Sequence, residues 1–114
     1  MNLDDLTQEV RAISTDPAVQ GFADQLAAWK GSYATAVGLA VALDRYIGNA
    51  WVGSTQDHER LFALWSEFRR DRIAAIHGMT MNERLYSFSL LDQFYSSGDS
   101  DRQAMYGKLH ASVA

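Results

Sequence analysis

Five side chains that carry or can take up positive charge fall within sixteen residues: Arg69, Arg70, Arg72, His77 and Arg84. Only two acids, Asp71 and Glu83, lie in the same span. Guanidinium groups are planar and permanently charged, and they suit carboxylates and phosphates better than lysine does. Gly78 bends the chain between the first three arginines and Arg84, so the four guanidiniums are expected to converge. Free N–H groups at the start of the next helix would add to an anion site. The chemistry on offer is recognition of an acidic partner or of a phosphate. The same residues also read as a solvated helix face, neutralised by Asp71 and Glu67.

Other chemistry is thin. The three histidines, His58, His77 and His110, form no H-E-x-x-H and no Glu-x-x-His pair. His58 and His77 stand at opposite ends of one expected helix, so they cannot share a metal within one subunit, and a protonated His77 suits a helix C-terminus. Glu67 and Asp71 are one turn apart, with Arg70 and Arg72 beside them, which favours a charge network over an acid–base pair. "GSYATAVG" lacks the lysine and the preceding strand of a phosphate loop, and no G-x-S-x-G occurs. No cysteine is present, which excludes disulfides, thiol nucleophiles and thiolate metal sites. We therefore expect no catalytic residue, no metal and no cofactor.

The 114 residues are 47% hydrophobic and 21% charged, enough apolar content for one ordinary core, so a single helical domain over 1–114 is expected. The net charge of −4 disfavours nucleic acid as a partner. It arises in the first half: residues 1–57 hold three basic and seven acidic side chains, and residues 58–114 seven of each. The acidic start, "MNLDDLTQEV", has no signal-peptide character. The longest uncharged stretch, between Lys30 and Asp44, is thirteen residues, short of the ~20 that a membrane span needs. A cytoplasmic location away from membrane is the expectation.

The elements that must position these groups are helices throughout. Leu3, Leu6, Val10 and Ile13 keep helical spacing. Asp16 and Pro17 are an N-cap and a first helical residue. From Val19 a heptad runs through Phe22, Leu26, Trp29, Tyr33, Ala36, Ala40, Leu43 and Ile47. An unbroken helix over 17–49 would be about 50 Å long, too long for so small a monomer. Either a second subunit covers it or Gly31-Ser32 breaks it, and the break is favoured. "GNAWVGST" is a turn from which Trp51 folds back on the core, and Ser54 or Thr55 caps a helix over 56–77. Thr80 and Glu83 form a capping box for a helix over 80–95, and Ser100 and Gln103 a second one for a last helix through Leu109. The aromatics, many for this size, are expected in the core, with a ligand pocket between helices as the alternative.

Ala27, Gly31, Ala34, Gly38 and Ala42 recur at spacings of 4, 3, 4 and 4. This small-residue stripe, with no charge between Lys30 and Asp44, is the expected homodimer interface.

Met79 to Tyr86, then Leu90 to Phe94 and Asp101-Arg102, resemble the opening of some short, uncharacterised bacterial proteins with an Asn-Glu-Arg-Leu-aromatic start. The resemblance covers the last third of the chain, and no activity comes with it. Ser89 stands where that pattern leads one to expect glycine.

The reading is an all-α bundle of five or six helices that acts as a noncatalytic protein-interaction module: a regulator, an inhibitor or an assembly factor, homodimeric, with an acidic protein as partner. A helical small-molecule-binding domain with an aromatic interior is the alternative. A nucleic-acid or nucleotide binder working through the Arg69–Arg84 patch is the third reading.

Overall fold

The computed structural model describes residues 1–111. Seven α-helices follow one another: α1 (Leu3–Arg11), α2 (Pro17–Trp29), α3 (Ala36–Asn49), α4 (Thr55–Phe68), α5 (Met81–Ser87), α6 (Leu91–Tyr95) and α7 (Asp99–Lys108). A π-helical turn, Arg69–Ile73, continues from α4, and a 3-10 turn, Ile76–Gly78, precedes α5. No strand occurs among the described residues. Among the described residues the α-helices therefore number seven, not five or six. The segment expected as one helix over 80–95 is two, and the segment expected over 56–77 changes helix type twice.

The starts of α1 to α5 each have a side-chain cap. Asn2 and Asp5 close a capping box on α1: the Asp5 N–H donates to Asn2 Oδ1 at 2.9 Å, and the Asn2 N–H to Asp5 Oδ2 at 3.1 Å. Asp16 caps α2 through the Ala18 N–H at 2.9 Å, and its other oxygen accepts the Gly53 N–H, also at 2.9 Å. The amides of Gly53 and Ala18 hold the Asp16 carboxyl below the usual carboxylate range. Thr35 caps α3 and Ser54 caps α4. Thr80 and Glu83 form both bonds of the expected box on α5. The box expected at Ser100 and Gln103 is absent. α7 starts two residues earlier than that box requires, at Asp99, with Gly98 at the cap position and no side-chain cap.

The expected break between α2 and α3 is present, with a different cap. The chain leaves the helix after Trp29, and Thr35 rather than Ser32 starts the next one, its Oγ1 accepting the Gly38 N–H at 3.0 Å. This removes Tyr33 from the seam, where its side chain is 92% exposed. The other heptad positions of α2, Val19, Phe22, Leu26 and Trp29, are buried, as are Ala36, Leu43 and Ile47 of α3. Close approach of the two helices occurs at Gly21: a Cβ there would lie 2.5 Å from the Tyr46 hydroxyl, which donates to the Ala18 carbonyl at 2.7 Å.

One core joins α1 (Leu3, Leu6, Val10), α2, α3 and α4 (Leu61, Leu64, Trp65, Phe68) with Ile73, Ile76, Leu85, Phe88, Leu90 and Leu109. Each large apolar side chain buried this way stabilises the fold by roughly 1.5–3 kcal/mol. Its aromatics meet one another at ring distances of 5.6 Å (Phe22–Trp65), 5.3 Å (Trp29–Phe88) and 5.7 Å (Phe68–Phe88). Trp51 is not among them. It does not fold back on the core and is 87% exposed. The Cα radius of gyration is 14.4 Å, close to the ~13 Å expected for this chain length. No described helix is long and apolar enough to cross a membrane.

Candidate functional site

The arginines of the basic segment are drawn to different partners. Arg69 pairs with Asp44 of α3 at 2.9 Å, and Arg70 with its neighbour Asp71 at 2.8 Å. Arg72 donates to Ser87 Oγ at 3.0 Å and lies 6.0 Å from the centre of the Tyr86 ring. Arg84 is buried. Its Nε donates to the Met79 carbonyl and its Nη1 to the Leu109 carbonyl, both at 3.1 Å. The spread has a backbone cause: the Ala74 N–H bonds the Arg69 carbonyl at 2.8 Å, a π-type i→i+5 bond that adds a residue to the turn carrying the arginines. The expected convergence around Gly78 therefore does not form. Arg84 is a buried strut between the 3-10 turn and the end of α7. His77 is exposed, with its ring 6.0 Å from that of His110.

The small residues likewise do not form one stripe. Ala27 is on α2, Gly31 and Ala34 are in the connection, and Gly38 and Ala42 are on α3. All except the half-buried Gly38 are exposed. On α3 they continue an apolar surface of Val37 and Val41, whose side chains are also exposed. That outward face carries no charge before Asp44.

Three side chains to which the sequence reading gave no such role tie distant parts together. Ser89 and His110 are the only non-glycine residues with positive φ among those described, at 57° and 58°. Each is the left-handed residue that ends a helix in a Schellman pattern. After α5, the Leu90 N–H bonds the Leu85 carbonyl and the Ser89 N–H the Tyr86 carbonyl. After α7, the Ala111 N–H bonds the Tyr106 carbonyl and the His110 N–H the Gly107 carbonyl. Glycine usually fills this position. Here a side chain is needed, because each residue also caps a second helix. Ser89 Oγ accepts the Asp4 N–H of α1 at 3.0 Å, and His110 Nε2 accepts the Val37 N–H of α3 at 3.1 Å. Burial, then the nearby His77 and Arg84, lower the His110 pKa.

Lys108 is the third. It is only 6% exposed, and its ammonium donates to the carbonyls of Trp29, Ser32 (2.6 Å) and Lys30 (3.4 Å), the frayed end of α2. It also lies 4.0 Å from the centre of the Trp29 ring. Burial pulls its pKa down to about 8. With an acceptor for each of its hydrogens, the ammonium is engaged as a tie.

A groove runs between the π turn, α5 and α6. It has a volume of 420 Å³ and is walled by Met79, Tyr86, Leu91 and Tyr95, with Arg72, Asn82, Glu83 and Ser87 supplying its polar atoms. Tyr95 and Tyr86 are among the most exposed aromatics. A sequence signal existed in Tyr86, Leu91 and Tyr95, but the aromatics were expected in the core and one helix was expected over 80–95, which the left-handed Ser89 divides into α5 and α6. Among the described residues, no three His, Asp or Glu side chains gather to hold a metal ion. No family model, no curated protein and no solved structure matches this chain.

Proposed function

We propose that the protein is a small noncatalytic protein-interaction module of the cytoplasm, a regulator, inhibitor or assembly factor that works as a homodimer. The observation that carries this reading is the outward face of α3. Val37, Val41 and Ala42 lie exposed there, with Ala34 exposed in the connection just before it, in a segment with no charged residue between Lys30 and Asp44. An uncharged helix face of this kind offers a self-complementary surface for a twofold contact, in which the same patch is used by both copies. The polar side chains that would otherwise suggest catalysis, Arg84 and Lys108, are spent on backbone carbonyls.

Sedimentation at micromolar concentration tests it. The wild-type chain should run as a dimer, and Val41→Lys should run as a monomer with unchanged helicity and melting. A wild-type monomer across the micromolar range would overturn the homodimer. A Val41→Lys dimer would move the interface away from α3.

A further inference from the structure

We propose that the groove between the π turn, α5 and α6 is a binding site for a small organic acid, with the carboxylate on Arg72 and an apolar or aromatic body between Met79, Tyr86, Leu91 and Tyr95. This goes beyond the interaction reading and does not depend on α3. Arg72 is the pivotal group. Arg69 and Arg70 are neutralised by Asp44 and Asp71, and Arg84 is bonded to carbonyls. Arg72 forms no ion pair among the described residues, and one N–H, on Nη1, is used on Ser87 Oγ. The remaining edge of its fork is free for the two oxygens of a carboxylate, a geometry that arginine suits and lysine does not.

The guanidinium is also held in place. Ser87 is fully buried, and its hydroxyl accepts from Arg72 while donating to Met79 Sδ at 3.8 Å. Tyr86 supports the guanidinium carbon from its ring face at 6.0 Å. An arginine fixed from two sides loses little rotamer freedom when an anion arrives. Asn82 adds a second donor: its Oδ1 accepts the Tyr95 hydroxyl at 3.1 Å, which leaves the amide N–H groups for a ligand. The remaining walls are apolar, and 420 Å³ lies within the ~300–1,000 Å³ of ordinary small-molecule sites.

Glu83 is the acid among the residues lining the groove, while Asp71, outside it and paired with Arg70, also feels the Arg72 charge. Glu83 Oε1 accepts the Thr80 N–H in the capping box, at 3.2 Å, and its charge remains at the groove. Glutamine serves a capping box as glutamate does. Glu83→Gln therefore removes the charge and keeps the helix start. For a simple acid this change strengthens binding, whereas for a zwitterion that used Glu83 to hold an ammonium it weakens binding.

The test is a ¹H–¹⁵N titration of the whole chain with 3-phenylpropanoate and octanoate, against 3-phenylpropanol and octanol at the same concentrations. Saturable shifts confined to residues 72–95 are expected, with each acid bound about tenfold more tightly than its alcohol. Arg72→Gln should bring acid down to the level of alcohol, Glu83→Gln should tighten the acid alone, and Tyr95→Ala should weaken acid and alcohol alike. Thermal melts of the three variants identify any that lose the fold, and Tyr95, being on the outer wall, is the safest of them. Equal affinity for acid and alcohol, an acid affinity indifferent to Arg72→Gln in a folded variant, or weakening by Glu83→Gln overturns the proposal. So do shifts that fall only on other surfaces.

Discussion

His110 Nε2 accepts the backbone N–H of Val37 at 3.1 Å, so the residue that ends α7 also caps the start of α3. Only a ring nitrogen without a proton accepts. The groups facing His110 are His77, at 6.0 Å between ring centres, and Arg84, bonded to the neighbouring Leu109 carbonyl. Together with burial they lower its pKa below 6.5. A lowered histidine pKa means that the unfolded chain takes up the proton first. The associated stability is complete above pH 6.5 and is lost as pH falls through that value toward the folded pKa. Denaturant melts at about pH 7.5 and about pH 5.5 should show a loss of about 1 kcal/mol, one net hydrogen bond, that His110→Asn does not show. Equal losses in both proteins would mean that another group carries the pH dependence.

Ser89 holds the matching position after α5. Glycine there would relieve a left-handed cost of about 1 kcal/mol but forfeit the bond from the Asp4 N–H, worth about as much. Ser89→Gly should therefore be near neutral, Ser89→Ala should cost about 1 kcal/mol, and Ser89→Asn, which tolerates this conformation and keeps an acceptor, should be the most stable of the three. Chemical denaturation ranks them. If glycine comes out clearly best, the contact with Asp4 contributes nothing.

Arg70 and Arg84 should behave as opposites. The exposed pair of Arg70 and Asp71 is of the surface type, so Arg70→Ala should leave the urea midpoint at that of wild type. Arg84→Ala leaves the carbonyls of Met79 and Leu109 without their donor and should cost about 2–3 kcal/mol. Urea midpoints of the two variants separate these outcomes, and similar midpoints would remove Arg84 as a strut.

Replacing Lys108 with methionine keeps the stem and deletes the ammonium. Three carbonyls at the end of α2 then lose their donor, and the expected cost is about 2–3 kcal/mol. Lys108→Arg should not recover it, because a planar fork cannot point at three converging acceptors. A melting temperature for Lys108→Met equal to that of wild type would show that water replaces the tie at no cost.

The parts of the fold that were legible in the sequence are those set by residues within four positions of each other. Asp16-Pro17, Ser54 and the Thr80–Glu83 box act through adjacent backbone groups, and the α2 heptad acts through one helix face. The failures share the opposite property. Ser89 was marked as a place for glycine only by the resemblance; by helical spacing it read as mid-helix, and the bond its side chain makes runs to an amide 85 positions away. Tyr33 matched the heptad by number, yet the chain had already left the helix. Ser100 and Gln103 had the right letters for a box one residue inside the true helix start. In the candidate sites, the arginines were legible as a cluster. Their partners, Asp44, Ser87 and the Leu109 carbonyl, were not, since the π turn that spreads them has no composition of its own.

The tie from Lys108 to the end of α2 also sets an order of events during synthesis. The ribosome delivers the carbonyls of Trp29, Lys30 and Ser32, and the amide of Val37, more than seventy residues before the side chains that satisfy them. While the chain emerges, α1 and α2 can pair locally, but the α2–α3 connection has to wait, open to water and to other chains, until the last helix appears. A nascent chain stalled short of Lys108 then holds α1, α2 and α3 but not the side chains that tie the α2–α3 connection.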